Sequence, residues 1–299
     1  MFVKLTNEEC IHNGYEYKEG LNILNEPFNN EKICGKGGLY FCRKEHFLKW
    51  IDYGGNKMYW IWDVVIPDDA KTVDMDDKLK TDKFILTNKR CIWLDYELCK
   101  LAVQQDGYAL FFVKEQTAEI CKLTVQQNGY ALEYVKNQTE EICKLAVQQN
   151  AYALSMVKIN QTEEICKLAV QQKGLSLKYV KNQTEEICKM AVQQNGDALY
   201  YVKNQTEEIC KMAVQQNCYS LEYVKNQTEE ICKMAVQQNG LALQYVKNQT
   251  DEICKLAVQK NGLSLGYVKN QTEEICKLAV QQNIHSFIFV QEHVKRLFI

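Results

Sequence analysis

The sequence has no long apolar run, no excess of basic residues and, between residues 95 and 284, no histidine. A membrane-spanning helix needs about 20 consecutive apolar residues, so none is predicted. The 36 basic residues face 38 acidic ones. Nucleic acids and anionic membranes attract basic surfaces, so the charge balance predicts neither as a partner. Catalysis by residues 95–284 is not expected either, because their cysteines would have no base beside them.

The first residues, MFVKLTNEE, also lack the layout of a signal peptide. We therefore expect an intracellular protein that is not secreted. The chain has 14 cysteines. In an intracellular protein of this length, cysteines are more often reduced thiols than disulfides.

One cysteine recurs every 22 residues, with a single step of 23, and marks nine copies of one repeat. A fixed period in this range is typical of solenoids, in which each unit buries its apolar face against its neighbours. Stacked helices lie about 8–10 Å apart, whereas disulfide-bonded Cα atoms lie within about 6.8 Å. We therefore expect these cysteines to be free and buried. They are Cys99, Cys121, Cys143, Cys166, Cys188, Cys210, Cys232, Cys254 and Cys276.

Each repeat predicts a helix followed by a shorter one. In the first helix, apolar residues from Ile142 to Val147 recur at spacings of three and four. Asn137 or Thr139 would cap its start, and Glu140 would pair with Lys144. The repeated Asn-Gln-Thr turn could also form an asparagine and glutamine ladder between successive turns.

A glycine follows the first helix in most repeats and predicts a left-handed C-terminal cap. These glycines are Gly107, Gly129, Gly174, Gly196, Gly240 and Gly262. The second helix would be about two turns long, with Ala131, Leu132 and Val135 on its apolar face. An extra residue, Ile159, predicts a bulge in one loop.

The predicted fold is mainly α: an α-hairpin solenoid of nine 22-residue repeats, superhelical, with a small α+β N-terminal domain. The domains would be residues 1–92 and residues 95–299, the latter ending in a capping helix. The first ninety residues contain both prolines and three of the four tryptophans. Strands are predicted at residues 2–5, 15–17, 39–41, 58–66 and 84–86, and a helix at residues 43–52.

Three groups of residues in the first ninety contain side chains that are used in chemical sites. The run from Cys34 to Gly38 lacks the spacing and the Lys-Ser/Thr ending of a phosphate loop, which favours a glycine turn before a strand. Two cysteines and two histidines could bind zinc, but their spacing is not that of a zinc knuckle. Five clustered aspartates favour a solvated loop over a cation site. We therefore predict no metal, no cofactor and no catalytic residue. The zinc candidates are Cys10, His12, Cys42 and His46, and the aspartates are Asp68, Asp69, Asp74, Asp76 and Asp77.

Two positions of the second helix vary between repeats within an otherwise constant framework. They lie three residues apart and therefore share one helix face. A variable, partly aromatic stripe is typical of repeat proteins that bind a partner. Neutral variation at exposed positions is an equally good interpretation. The candidate partner-binding residues are Tyr130, Glu133, Tyr152, Ser155, Leu175, Lys178, Asp197, Tyr200, Tyr219, Glu222, Leu241 and Gln244.

The repeat motif, NQTEEICKLAVQQNG, resembles short helical repeats of unknown function in the giant viruses of amoebae. The N-terminal region resembles the segment that precedes ankyrin repeats in proteins of these viruses. The resemblance rests on the order of three motifs: KLTN at residue 4, GGLYF at residue 37 and VVIPDDA at residue 64. The resemblance implies a viral protein in the host cytoplasm or the virion. The GLYF element is also similar to one in ADP-ribosyltransferase folds, but no catalytic glutamate is identifiable.

These observations predict a non-enzymatic scaffold that mediates protein–protein interaction with host or virion partners. One alternative assigns an enzymatic or ligand-binding activity to the N-terminal domain, and a pocket near residues 35–40 would favour it. A second alternative is a self-assembling structural protein. A homo-oligomer would then form through the apolar residues 287–290 and 297–299, or through an exposed thiol at Cys218.

Overall fold

The computed structural model describes residues 1–12, 14–53 and 56–296. It divides into two compact units, the first holding Met1–Gln127 with Tyr134–Lys136. The second holds Asn128–Glu133 and the chain from Asn137 onward. The sequence-based division at residues 92 to 95 stays a prediction.

The strands of the described residues all lie in the first unit. They are β1 Phe2–Thr6, β2 Ile11–His12, β3 Tyr15–Glu16, β4 Gly20–Ile23, β5 Leu39–Arg43, β6 Asp52–Tyr53, β7 Asn56–Lys57, β8 Trp60–Val65, β9 Thr72–Asp74, β10 Leu79–Thr81 and β11 Lys83–Cys91. Seven of these strands make one sheet in the order β4-β11-β8-β1-β5-β10-β9, and all neighbours are antiparallel.

Each strand predicted from the sequence overlaps an observed strand. The helix predicted at residues 43–52 is a 3-10 helix, Lys44–Trp50, that buries Phe47. Its predicted end at Gly54 and Gly55 lies outside the described residues. The hydrophobic core of the sheet includes Phe41, Trp62 and Phe84.

The repeats each consist of a ten-residue α-helix and a short 3-10 helix. Nine such pairs lie in the described part of the chain, so the predicted fold class is confirmed. The α-helices are α1 Tyr96–Gln105, α2 Ala118–Gln127, α3 Glu140–Gln149, α4 Glu163–Gln172, α5 Glu185–Gln194, α6 Glu207–Gln216, α7 Glu229–Gln238, α8 Asp251–Lys260 and α9 Glu273–Gln282, and a short α10, Glu292–Lys295, follows.

The second helix of each repeat is a 3-10 helix, which the sequence pattern did not distinguish from an α-helix. With five or six residues it is too short to gain from the α-helical bond pattern, and 3-10 turns are common in such short pieces. These helices are Gly107–Phe111, Gly129–Tyr134, Ala151–Met156, Gly174–Tyr179, Gly196–Tyr201, Cys218–Tyr223, Gly240–Tyr245, Gly262–Tyr267 and Ile284–Phe289.

The first helix begins at the threonine of the repeated turn. Thr139 Oγ1 accepts a hydrogen bond from the amide of Ile142 at 3.3 Å, so Thr139, not Asn137, is the side-chain cap. Lys144 pairs with Glu140, as predicted, at 3.1 Å. Lys144 also reaches Glu164 of the next repeat at 2.7 Å. Ion pairs therefore link successive helices on the exposed side.

The glycines before the 3-10 helices do not form left-handed caps, so that prediction is wrong. Among the described residues, positive φ at glycine occurs only at Gly14, Gly20, Gly35 and Gly37. The backbone of the next repeat approaches these glycines closely instead. A Cβ at Gly240 would lie 2.3 Å from the carbonyl oxygen of Ala257 in the next repeat. Similar approaches of 2.3–2.6 Å occur at Gly129, Gly174, Gly196 and Gly262.

A glutamine side chain joins each repeat to the next. Gln205 donates from Nε2 to the carbonyl of Leu199 at 3.3 Å and to that of Tyr223 at 2.9 Å. Its Oε1 accepts from the amide of Lys225 at 2.9 Å. One side-chain amide thus satisfies three backbone groups at the ends of two successive 3-10 helices. This confirms the glutamine part of the predicted ladder.

The same three backbone bonds recur along the repeats, and we call the residues that make them the clamp glutamines. The 23-residue step does not interrupt them, because the extra Ile159 lies in the loop before Gln161. The clamp glutamines are Gln116, Gln138, Gln161, Gln183, Gln205, Gln227, Gln249 and Gln271.

Replacing one clamp glutamine should destabilise the protein strongly. Gln205→Ala leaves the Tyr223 carbonyl and the Lys225 amide without this partner, while the Leu199 carbonyl keeps its bond from the amide of Val202. We expect a loss of about 2–4 kcal/mol in the free energy of unfolding. Urea titration followed by circular dichroism measures it. Gln215→Ala is the matched control, because Gln215 is exposed and should change stability by less than about 0.5 kcal/mol. Equal effects of the two changes would contradict the clamp.

Adding a methyl group at a repeat glycine should also destabilise. Gly240→Ala forces the alanine Cβ against the Ala257 carbonyl, and we expect a loss of about 1–3 kcal/mol. The matched control is Gly266→Ala, whose Cβ would meet only the side chain of Phe289, at 3.2 Å. A control that loses as much stability as Gly240→Ala, in the same urea titration, would rule out the close-approach explanation.

Candidate functional site

The twelve candidate residues lie in two rows on the 3-10 helices of the second unit. Residues three apart eclipse one another in a 3-10 helix, so the two rows share a face. We call the half-buried set the inner row: Tyr130, Tyr152, Leu175, Asp197, Tyr219 and Leu241. The exposed set is the outer row: Glu133, Ser155, Lys178, Tyr200, Glu222 and Gln244.

Several inner-row side chains contact the next repeat. The Tyr219 hydroxyl accepts from Asn239 Nδ2 at 2.8 Å. Asp197 Oδ1 accepts from Asn217 Nδ2 at 2.9 Å and from Ser220 Oγ at 3.2 Å. These contacts hold repeats together, which explains the half-burial. The inner row therefore has a structural role, which the sequence pattern alone did not reveal.

The outer row contains one large exposed aromatic residue. Tyr200 is 65% exposed, and its ring lies 5.4 Å from that of Tyr223 in the next repeat and 5.0 Å from that of Tyr201. Together with Leu175 and Asp197 these three rings line a pocket of about 270 Å³. Tyrosine offers both an apolar ring and a hydroxyl donor, and it is enriched among the residues that dominate protein interfaces.

The zinc-ligand candidates do not form a metal site in the structure. No group of three or more potential ligand residues was found among the described residues. His12 Nδ1 lies 3.0 Å from Lys4 Nζ, and burial with the nearby lysines lowers the pKa of His12 to about 4. Burial raises the pKa of Cys42 to about 12, so its thiol stays protonated. The absence of a bound metal remains a prediction.

The aspartate candidates include two that form ion pairs. Asp69 pairs with Lys83, and Asp74 lies 2.7 Å from Arg43. These side-chain hydrogen bonds lower the pKa of both carboxyl groups. Asp74 lies at the end of β9, so the prediction of a solvated loop is wrong for that residue.

The glycine-rich run precedes β5, as predicted, but it also borders a cavity. Gly35, Lys36 and Gly38 line a space of about 500 Å³ in the first unit, together with Lys4 and His12. The glycine-rich run indicates from the sequence alone where a pocket would support a ligand-binding role, but it does not indicate Lys4. The available signal was a single lysine inside the apolar strand FVKLT.

The last 3-10 helix of the repeats carries exposed apolar side chains. Ile284 is 68% exposed and Ile288 is 72% exposed. Residues 297–299, the other apolar segment of the oligomer hypothesis, lie outside the described residues. A homo-oligomer through this end therefore stays a prediction.

The cysteines of the repeats are buried, as predicted. Burial raises the pKa of Cys143 and of Cys254 to about 11, so both thiols stay protonated at neutral pH. The proposed exposed thiol at Cys218 is wrong, because only 7% of that residue is exposed. Cys218 occupies the position that is glycine in most other repeats. This position faces the next repeat. Cys34 is exposed and Cys10 is half-buried.

Thiol labelling of the native protein should therefore separate the cysteines sharply. An aromatic disulfide reagent should label Cys34 rapidly and Cys10 more slowly, because thiolates that are accessible to solvent react first. The repeat cysteines should react only after unfolding. Cys34→Ser should remove the fast phase, and fast labelling of several repeat cysteines would contradict their burial.

In the described part of the chain, no helix is both long enough and apolar enough to cross a membrane.

The repeats match a known family model, and the chain is similar to several viral proteins. The model of a domain of unknown function, DUF4116, matches residues 162–206, 184–227, 206–250 and 228–271. A putative ankyrin repeat protein of Acanthamoeba polyphaga mimivirus is 31% identical over 86 residues, which cover 28% of this chain and 41% of that protein. The chain resembles mimivirus repeat proteins. The predicted resemblance to giant-virus proteins is thereby confirmed.

Two further mimivirus proteins are similar over shorter stretches. An uncharacterized protein is 39% identical over 56 residues, 18% of this chain and 41% of that protein. Another putative ankyrin repeat protein is 39% identical over 54 residues, 18% of this chain and 16% of that protein. The chain therefore spans less than half the length of these relatives. No solved structure matches it.

Proposed function

We propose that the chain is a non-enzymatic repeat scaffold that binds a partner protein through its outer row. The observation that carries the proposal is the exposed Tyr200 at the centre of that row, supported by the rings of Tyr201 and Tyr223. The names of two relatives, as ankyrin repeat proteins, support a scaffold role. Stacked repeats in general present extended binding surfaces.

Substitutions in the outer row should have little effect on the stability of the fold. Outer-row side chains are exposed, whereas the inner row, the clamp glutamines and the buried apolar residues contact neighbouring repeats. A change in the outer row alters the surface without altering the fold. The outer row combines Glu133, Lys178 and Glu222 with uncharged residues, so it suits a protein surface better than a polyanion such as nucleic acid. We expect the partner to be a host or virion protein.

Changing Tyr200 should weaken partner binding without unfolding the chain. We expect Tyr200→Ala to lower the affinity for the partner by tenfold or more, since truncating a central aromatic contact has effects of this order. The full-length chain and the variant would be used to capture proteins from infected amoebae, with quantitative mass spectrometry and then titration of each recovered protein.

The matched control is Tyr96→Ala, a partly exposed tyrosine on α1 outside both rows. It should leave capture unchanged. Proteins lost equally from both variants, or from neither, would contradict binding through the outer row. Recovery of the chain itself as the Tyr200-dependent partner would favour the self-assembling alternative instead.

A further inference from the structure

A cavity of about 500 Å³ lies in the first unit, beside the central strand β1 and its neighbour β5. Its volume falls within the roughly 300–1,000 Å³ of small-molecule sites. Tyr15, Tyr17, Phe41 and Trp50 contribute aromatic surface to its wall. Apolar and aromatic wall surface, combined with polar groups that orient the ligand, is typical of sites for small organic ligands.

Lys4 is the polar residue at the centre of β1 that lines this cavity. Only 2% of Lys4 is exposed. Its Nζ hydrogen-bonds with His12 Nδ1 at 3.0 Å and lies 4.3 Å from the centre of the Tyr17 ring. Neither contact supplies a negative charge, since burial lowers the pKa of His12 and raises that of Tyr17. Lys4 therefore has polar contacts but no counter-ion among them.

Lys4 has no ion-pair partner among the described residues, because none of their carboxylates lies within 4.0 Å of its Nζ. Burying an ammonium without an opposite charge is costly, and buried lysines are normally paired. A methionine would fill the same space without that cost. The residue is therefore better explained by a ligand that supplies the negative charge.

The remaining charged residues of the cavity wall add to this positive character. Lys36 and Lys78 line the cavity, and Glu26 is the acidic residue that lines it. Glu26 Oε1 already accepts a hydrogen bond from the amide of Gly37 at 2.8 Å. Three lysines against one glutamate favour an anion over a cation in this space.

We propose that the cavity binds a small aromatic oxyanion, a molecule that carries a carboxylate or phosphate group beside a flat ring. The oxyanion accepts hydrogen bonds from Lys4 Nζ, and the ring packs among the tyrosines of the cavity wall. Charge-assisted bonds to a buried ammonium are stronger than neutral ones, and aromatic rings attract one another edge to face. The site is separate from the outer row, so either proposal can fail alone.

Binding should depend on pH in a defined direction. Burial lowers the pKa of Lys4 to about 7, and a bound anion would raise it again because it favours the charged amine. Above pH 7 the free site must take up a proton to bind, so the affinity should fall about tenfold for each pH unit until the raised pKa is reached. The other titratable groups that line the cavity are His12, Tyr15, Tyr17, Glu26, Cys34, Lys36, Tyr40, Cys42 and Lys78.

Calorimetric titration of the full-length chain near pH 6 tests the proposal directly. The probes are benzoate, 2-naphthoate and adenosine monophosphate, each with its uncharged counterpart: benzamide, 2-naphthamide and adenosine. Inorganic phosphate tests the anion without a ring. We expect at least one aromatic oxyanion to bind tenfold or more tightly than its uncharged counterpart and than phosphate, and that advantage to shrink between pH 7 and pH 9.

Lys4→Met separates a binding role from a structural one. The variant should lose the preference for the oxyanion while its melting temperature stays the same or rises, because an unpaired buried charge is removed. The matched control is Lys89→Met: Lys89 Nζ lies 4.3 Å from the centre of the Trp60 ring, outside the cavity wall. This control should keep both the binding and its pH dependence.

Three results would overturn the proposal. One is that none of the aromatic oxyanions binds with a dissociation constant below about 1 mM. Another is that the uncharged counterparts bind as tightly as the oxyanions. The last is that Lys4→Met binds the oxyanion as tightly as the unchanged chain does.

Discussion

The repeats depend on one side-chain amide that serves backbone groups of two neighbouring units. Short helices leave carbonyl groups without partners at their ends, and such groups must find partners when they are partly buried. In this chain the partner is a clamp glutamine. Gln205, for example, donates to one carbonyl in each of two successive 3-10 helices and accepts from the amide of Lys225, just after the second helix. Because the three bonds of one glutamine together span two successive 3-10 helices, each repeat depends on its neighbour.

This dependence separates the residues that are constant between repeats from those that vary. Gly240 lies where the Ala257 carbonyl approaches closely. The Asp197 carboxylate accepts a hydrogen bond from Asn217, the residue that caps the next 3-10 helix. The outer row lies on the exposed side of the same helices. A scaffold built in this way can change its surface while its framework stays constant, which is the physical basis of the proposed binding role.

The sequence predicted the features that depend on local periodicity. The first helix of each repeat, a cap at either Asn137 or Thr139, and the buried cysteines follow from spacings within one repeat. The strands of the first unit follow from short β-branched and aromatic runs. The 3-10 helices, the role of Gly240 and the full set of clamp bonds were not predicted, because they are set by contacts with the next repeat. The place of Lys4 in the cavity was not predicted for a similar reason: its surroundings come from strands and turns far apart in the sequence.

Hydrogen exchange at the amide of Lys203 tests the clamp most directly, without any substitution. Lys203 lies in a loop between two helices, and its amide donates to Oε1 of Gln183 at 3.0 Å. We predict that this amide exchanges at least a hundredfold more slowly than an unprotected amide, and that the equivalent Lys181, Lys225 and Lys247 do the same. Exchange of these lysine amides at the rate of an unstructured loop would contradict the account.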